Sequence, residues 1–288
     1  MTNEKVLTII KDIRKKDAIR IRKFNIIGKE IYIPTTAGES RALIYKAKNK
    51  KQLSPLFFNI HGGGFVGGLP EYDDKFCDAL RNELDVTVIS IGYRLAPEHK
   101  WPKGIHDIYD VISYVSSHND KFGIDPDCMA IGGHSSGANI AAVVCMKAKE
   151  NNEFSFKCQV LDYPVLDLAT PAGEKFYTQG AIPPEISTMF DKCYRHEEVA
   201  KNPHCSPVFA TNEQLKSLPP AIIITCEIDS LRDEGEKYAQ KLIGAGVETT
   251  AKRFYGVNHG FTIAKPHLPE SKEAYEMIAD GLRKYLFS

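Results

Sequence analysis

Gly133-His134-Ser135-Ser136-Gly137 lies directly after the apolar run Met129-Ala130-Ile131 and directly before a helix-like stretch with Ile140, Val143 and Val144 on one face. That context limits the fold more than any other feature of the chain. A serine between a strand and a helix needs a turn tight enough to lift its hydroxyl clear of the sheet. Glycines on both sides let the backbone turn sharply and pack closely there. The letters alone are weak, since at ordinary Gly and Ser frequencies a G-x-S-x-G match arises by chance in roughly one chain in ten of this length. With strand before and helix after, Ser135 is expected to be a nucleophile rather than part of an inert turn.

The rest of the chain supplies the sheet that such a turn requires. Asn25 to Pro34 and Arg41 to Lys46 read as two antiparallel strands around the turn at 36–39. Apolar runs at Leu56 to Ile60, Val86 to Ile91, Met129 to Ile131, Cys158 to Tyr163 and Ala221 to Cys226 then alternate with helical stretches. This is the signature of an α/β fold with a mostly parallel central sheet flanked by helices. Ile105, Ile108, Tyr109 and Ile112 form one helical stripe, and Ala274, Met277, Ile278 and Tyr285 another. Between Asp167 and Leu218 the alternation lapses into a stretch rich in proline and aromatics. An unstructured loop that long is improbable inside a compact domain, so short helices are expected there, over the carboxyl edge of the sheet. The whole chain, 1–288, reads as one domain, with an inserted helical cap drawn from about 1–20 and 167–218.

His61-Gly62-Gly63-Gly64 follows the strand Leu56 to Ile60 and would arise by chance in well under one chain in a hundred. Three glycines leave backbone N–H groups unobstructed and able to point at a developing oxyanion. Their natural partner is the N–H of Ser136, the residue after the nucleophile. Neither a P-loop nor a dinucleotide fingerprint fits these letters. A serine nucleophile also needs a base and a group to orient it. Of nine histidines, His259 lies after the strand-like Thr249 to Phe254 and before the final helix, at the same sheet edge. His61 belongs to the glycine loop, and His134 should point away from Ser135. The other six, at 99, 106, 118, 196, 204 and 267, read as surface or core residues. For the acid, Asp229 follows the strand Ala221 to Cys226 and is the first choice, with Glu227 and Asp233 as close rivals. Asp233 suits the first turn of the next helix, where an acid is favourable.

Composition removes several classes of function. Thirty-seven Lys plus Arg balance thirty-seven Asp plus Glu, which leaves no broad basic field for nucleic acid or anionic lipid. Hydrophobic residues at 43% and aromatics at 10% provide a substantial core and argue against disorder. No apolar run reaches the roughly 18 residues of a membrane span, and Val6 to Ile10 is too short for a signal-peptide core, so a cytoplasmic location is expected. Seven cysteines are scattered, without ligand or disulfide spacing, and read as reduced, mostly buried residues. No metal and no cofactor are expected, and oligomeric state is not legible.

Taken together, HGGG at 61–64, Tyr93-Arg94-Leu95-Ala96-Pro97-Glu98, G-x-S-x-G at 133–137, Asp229 with Leu231-Arg232-Asp233-Glu234-Gly235, and His259-Gly260-Phe261 resemble the hormone-sensitive lipase group of α/β-hydrolases. That group includes bacterial carboxylesterases and acetyl esterases. The resemblance runs from about Leu56 to the C-terminus. It implies Ser135 as nucleophile, His259 as base, Asp229 as orienter, and Gly63, Gly64 and Ser136 as oxyanion donors. It also implies a cap built from the N-terminus and an insertion. The family's usual elbow is Gly-Asp-Ser-Ala-Gly-Gly; here His134, Ser136 and Ala138 depart from it, and Ser230 stands where proline is common. Gly-His-Ser is similar to the elbows of aryl formamidase-like relatives.

The expected function is a serine carboxylesterase working through an acyl-enzyme on a small-molecule ester. An amidase, formamidase or small peptidase is the alternative on the same machinery, and a non-catalytic small-molecule receptor is the alternative of another class. Charged residues punctuate the cap segment (Glu174, Lys175, Glu185, Asp191, Lys192, Arg195 and others). They suggest a solvated lid over a closed pocket rather than an apolar face that docks on lipid, and hence acyl chains of roughly two to six carbons.

Overall fold

The computed structural model describes residues 3–49 and 53–288, so the first two residues of the expected N-terminal cap segment lie outside the described residues. Helix α1 (Asn3–Ile21) leads into the antiparallel pair β1 (Lys29–Thr35) and β2 (Gly38–Tyr45). β3 (Ser54–Ile60), α2 (Asp74–Leu84), β4 (Thr87–Ile91), α3 (Lys103–Ser117) and the short α4 (Asn119–Phe122) follow. Next come β5 (Ile124–His134), α5 (Ser136–Asn151) and β6 (Cys158–Asp162). A long excursion holds α6 (Pro184–Tyr194) and α7 (Asn212–Leu215). The alternation then resumes with β7 (Ala221–Ile228), α8 (Arg232–Gly244), β8 (Thr249–Asn258), α9 (Phe261–Ala264) and α10 (Pro269–Leu286).

These strands form one eight-stranded sheet in the order β1-β2-β4-β3-β5-β6-β7-β8. β2 is antiparallel to both neighbours, and all pairs from β4 to β8 are parallel. Period-two alternation divides each strand between two cores. Leu56, Phe58 and Ile60 pack with residues of α3, α5 and α8, whereas Phe57, Val88, Ile222 and Ile224 pack with residues of α2 and α10. Each such fully buried side chain is worth about 1.5–3 kcal/mol in transfer free energy, so both faces of the sheet are anchored along its length. Parallel order brings the carboxyl ends of β3, β5, β7 and β8 to one edge, where an open α/β sheet places its ligands.

Two strand boundaries differ from expectation. β1 begins at Lys29 rather than Asn25, because the N–H groups of Ile27 and Gly28 are taken by the carboxylate of Asp74 on α2 instead of by a strand. β8 continues past Phe254 to Asn258, and a shift in its register against β7 between Cys226 and Ile228 brings Asn258 opposite Ile228. That extension carries the chain to the residue before His259. The seven cysteines are free, and all are buried except the half-buried Cys128.

Candidate active site

The elbow is built by backbone contact. Ser135 has φ 56° and ψ −115°, a region that L residues rarely occupy and that costs on the order of 1–3 kcal/mol. Its neighbours explain why the turn holds. A Cβ on Gly137 would lie 2.0 Å from the carbonyl oxygen of Ile60 at the end of β3, and one on Gly133 would lie 2.6 Å from the same oxygen. The flanking glycines are thus required by the close passage of β3, while the positive φ falls on the serine itself. The N–H of Ser135 donates to the carbonyl of Asp162 at 2.9 Å, which ties the elbow to β6.

Ser135 Oγ is 2.8 Å from His259 Nε2, and His259 Nδ1 is 2.7 Å from Asp229 Oδ2. Asp229 is buried, and its second oxygen accepts from the N–H of Leu231 at 3.1 Å. The two rival acids are elsewhere: Glu227 accepts from the N–H of Gly256, and Asp233 sits in the first turn of α8 paired with Arg232. Burial favours the neutral form of His259, but the carboxylates of Asp229, Asp162 and Glu234 outweigh it and hold the imidazole above its ordinary pKa. With Nδ1 donating to Asp229, Nε2 is free to accept the hydroxyl proton of Ser135.

The glycine loop lies against this group. A Cβ on Gly62 would be 2.9 Å from the carbonyl oxygen of His134 and 3.4 Å from the Cβ of Ser135. The carbonyl of Gly63 accepts from Val66 and Gly67, which turns the loop back. The N–H groups of Gly63, Gly64 and Ser136 take no acceptor among the described residues. His61 is not part of the triad: it is buried, stacked on Tyr93 at 4.5 Å, and bonded to the carbonyl of Gly62. Gly62, Gly63, Gly64, Ser135 and His259 line one cavity of about 1280 Å³.

A family profile described as an alpha/beta hydrolase fold matches residues 57–263. The arylesterase of Saccharolobus solfataricus is 36% identical over 217 residues, covering 74% of this chain and 70% of that protein. The hyperthermophilic esterase of Pyrobaculum calidifontis superposes with a TM-score of 0.85 at 36% identity, covering 97% of this chain and 93% of the other. A thermostable esterase from Pseudomonas putida gives 0.88 at 31% identity, covering 96% and 90%. The chain belongs to the hormone-sensitive lipase-like carboxylesterases of the α/β-hydrolase fold.

Around the triad of this carboxylesterase the structure adds residues that spacing did not single out. Asp162, fully buried at the end of β6, accepts through Oδ2 from His134 Nδ1 at 2.8 Å and from Thr262 Oγ1 at 2.5 Å. It therefore ties the residue before Ser135 to the turn just after His259. Tyr163 adds its hydroxyl to Thr262 at 2.9 Å and its ring edge to His259 at 4.8 Å. A β-strand that ends in Asp and is followed by Tyr offers no sequence signal for this, because every partner is remote in the chain.

The segments above the cavity are held by both packing and charge. From α1, Arg14 bonds the carbonyls of Val66 and Ala96 and pairs with Glu98, while Asp17 accepts from Gly68 N–H and Tyr72 hydroxyl. In the insertion, Tyr194 stacks on Phe65 at 3.6 Å, and the Phe190 ring lies where a Cβ on Gly64 would be 2.5 Å away. The expectation that the charges of 167–218 are a solvated face needs correction. Lys175 is half-buried and pairs with Glu234 at 2.6 Å, and Arg195 is buried and donates to the carbonyl of Leu168 at 2.7 Å. These two charges point inward because they satisfy a buried carboxylate and a buried carbonyl, which water does not reach. Glu185, Glu197 and Glu198 remain exposed.

Among the described residues no helix is long and apolar enough to cross a membrane.

Proposed function

We propose that this carboxylesterase hydrolyses small, short-acyl esters through an acyl-enzyme on Ser135, within one domain capped by α1 and residues 167–218. His259 takes the Ser135 proton as the hydroxyl attacks the ester carbonyl. Gly63, Gly64 and Ser136 donate N–H groups to the oxyanion of the tetrahedral intermediate. The His259 imidazolium gives its proton to the departing alcohol, and the same histidine then activates water against the acyl-enzyme. Asp229 keeps the imidazole in the tautomer that presents Nε2 to the serine. The observation that carries this reading is the continuous hydrogen-bonded line Asp229–His259–Ser135 opening into a cavity beside glycine N–H groups that take no acceptor among the described residues.

Chain length is limited by the cap rather than by total volume. Phe190 rests on Gly64 and lines the cavity with Leu168 and Ile182, so an acyl chain under α6 is read as stopped by that wall, each buried methylene gaining only about 0.8 kcal/mol. Seven unpaired cysteines support a reducing compartment such as the cytoplasm. The test is kcat/KM for p-nitrophenyl esters from acetate to palmitate, with a matched formanilide alongside. The expected maximum lies between two and six carbons. A maximum at twelve or more, or a rate jump above the micelle concentration, would overturn it in favour of a lipase; faster turnover of the formanilide would move the assignment to a formamidase.

A further inference from the structure

The cavity wall changes character from one side of Ser135 to the other. Beneath the cap it carries the apolar side chains of Val165, Leu168, Ile182 and Phe190 beside Lys175, Ser187 and Asp191. Toward α2 and α10 it includes Phe76 and Ile278 but also the polar side chains of Asp73, His134 and Thr262. His134 is 4% exposed and Asp73 2%. The Nδ1 of His134 is engaged by Asp162, whereas its Nε2 has no hydrogen-bond partner among the described residues and lies 3.9 Å from Asp73 Oδ2. That separation is too long for a hydrogen bond. Asp73 Oδ2 accepts from Asn59 Nδ2 at 2.8 Å and retains capacity for another donor. A buried imidazole nitrogen left unpaired is destabilising, and a suitably placed ligand group recovers that loss on binding.

The chemistry of that group follows from the pair it meets. Nδ1 turned to Asp162 and Nε2 to Asp73 place the ring between two carboxylates, an arrangement in which Nε2 presents a donor and Asp73 an acceptor; burial disfavours the imidazolium, and the two carboxylates raise its pKa. Tyr163 hydroxyl at 3.4 Å and the edge of Phe76 complete the surroundings. A hydroxyl accepts from Nε2–H and donates to Asp73. An alkyl chain does neither, a carboxylate is repelled by two aspartates, and an ammonium cannot accept.

The geometry points to a hydroxyl-binding subsite at His134 and Asp73, across Ser135 from the cap side of the cavity, that selects esters whose alcohol portion is a diol or polyol. This rests on the reading of Ser135 as the esterase nucleophile, with the acyl chain under the cap and the leaving alcohol toward α2 and α10.

Glycerol 1-monobutyrate and propyl butyrate share the acyl group and the three-carbon alcohol skeleton and differ in two hydroxyls. Their hydrolysis is followed by pH-stat. The wild-type enzyme is expected to favour the monobutyrate by at least about tenfold in kcat/KM, as a site built to pair a hydroxyl does. His134→Phe and Asp73→Asn, each checked for folding by circular dichroism, are expected to bring the ratio to within about threefold. A wild-type ratio near one, or a preference that survives both substitutions, overturns the subsite. The wild-type ratio stands as a test even if a variant fails to fold. Failure to hydrolyse either ester would instead strike the esterase reading itself.

Discussion

At the elbow, position is dictated by main chain: a methyl on Gly137 would stand 2.0 Å from the Ile60 carbonyl, and no side chain can move aside to admit it. Over the cavity, by contrast, the insertion is held by side chains, with Lys175 on Glu234, Arg195 on a carbonyl and Tyr194 stacked on Phe65. The difference teaches where each kind of change is felt. A jammed backbone transmits any added atom directly to Ser135, whereas ties between long side chains can be exchanged with a local loss only.

Ser135→Ala breaks the comparison most sharply, because it removes chemistry and leaves the backbone as it is. The expected loss is on the order of a thousandfold or more in kcat, with Tm within about 2 °C of wild type. A fluorophosphonate probe that labels the wild-type chain should leave this variant unmarked; labelling at Ser136 instead would mean that the elbow serine was misassigned. Gly137→Ala should do the opposite and damage both properties, with a fall in Tm of about 10 °C or more and at least a hundredfold loss of activity. A well-folded, active Gly137→Ala enzyme would show that β3 can retreat and that the elbow is not jammed.

Asp162→Asn is expected to be intermediate, at about tenfold in kcat with little change in KM. It weakens the tie between His134 and Thr262 and removes one of the negative charges near His259. Because His259 must be neutral to act as base and its pKa is raised, wild-type kcat/KM should rise through an inflection above the ordinary imidazole value near 6.5. Asp162→Asn should shift that inflection to lower pH. A purely structural lesion would reduce the plateau without moving it.

How much of this was legible in sequence follows the same division. The elbow, the glycine loop and the base are announced by short motifs, since tight turns and close approaches demand glycine at particular positions. Asp229 could be ranked ahead of Glu227 and Asp233 from its place between β7 and the next helix, but its hydrogen bond to His259 depends on the register shift between β7 and β8, which no motif announces. Asp162, Thr262 and Asp73 carry no local signature at all. In the cap, the run of charges was visible but its direction was not: Lys175 faces inward only because Glu234, far along the chain, is buried beneath it.

The smallest effect belongs to the cap. Asp191, on α6, is pushed up to about 6 by burial, against the opposing influence of Lys175 and Arg195 and with Asp167 and Glu197 adding to the rise. A carboxyl with a raised folded-state pKa stabilises the fold fully below its unfolded value near 3.8 and loses that contribution as pH rises through 6. Asp191→Asn, neutral at every pH, should therefore raise Tm by a few degrees at pH 8 and by almost nothing at pH 4. Equal shifts at both pH values would mean that packing, not charge, governs this position.

β8 is the outermost strand on its side, with β7 as its one neighbour in the sheet, and it delivers His259, whereas β5, which delivers Ser135, is clasped by β3 and β6. Border strands open more readily than central ones, with free energies well below that of global unfolding. Heating should thus detach the proton acceptor from its partner while the central strands still protect their amides from deuterium. Turnover would fade reversibly over a temperature interval in which circular dichroism is unchanged, and the enzyme's working ceiling would be set by the grip of a single strand pairing.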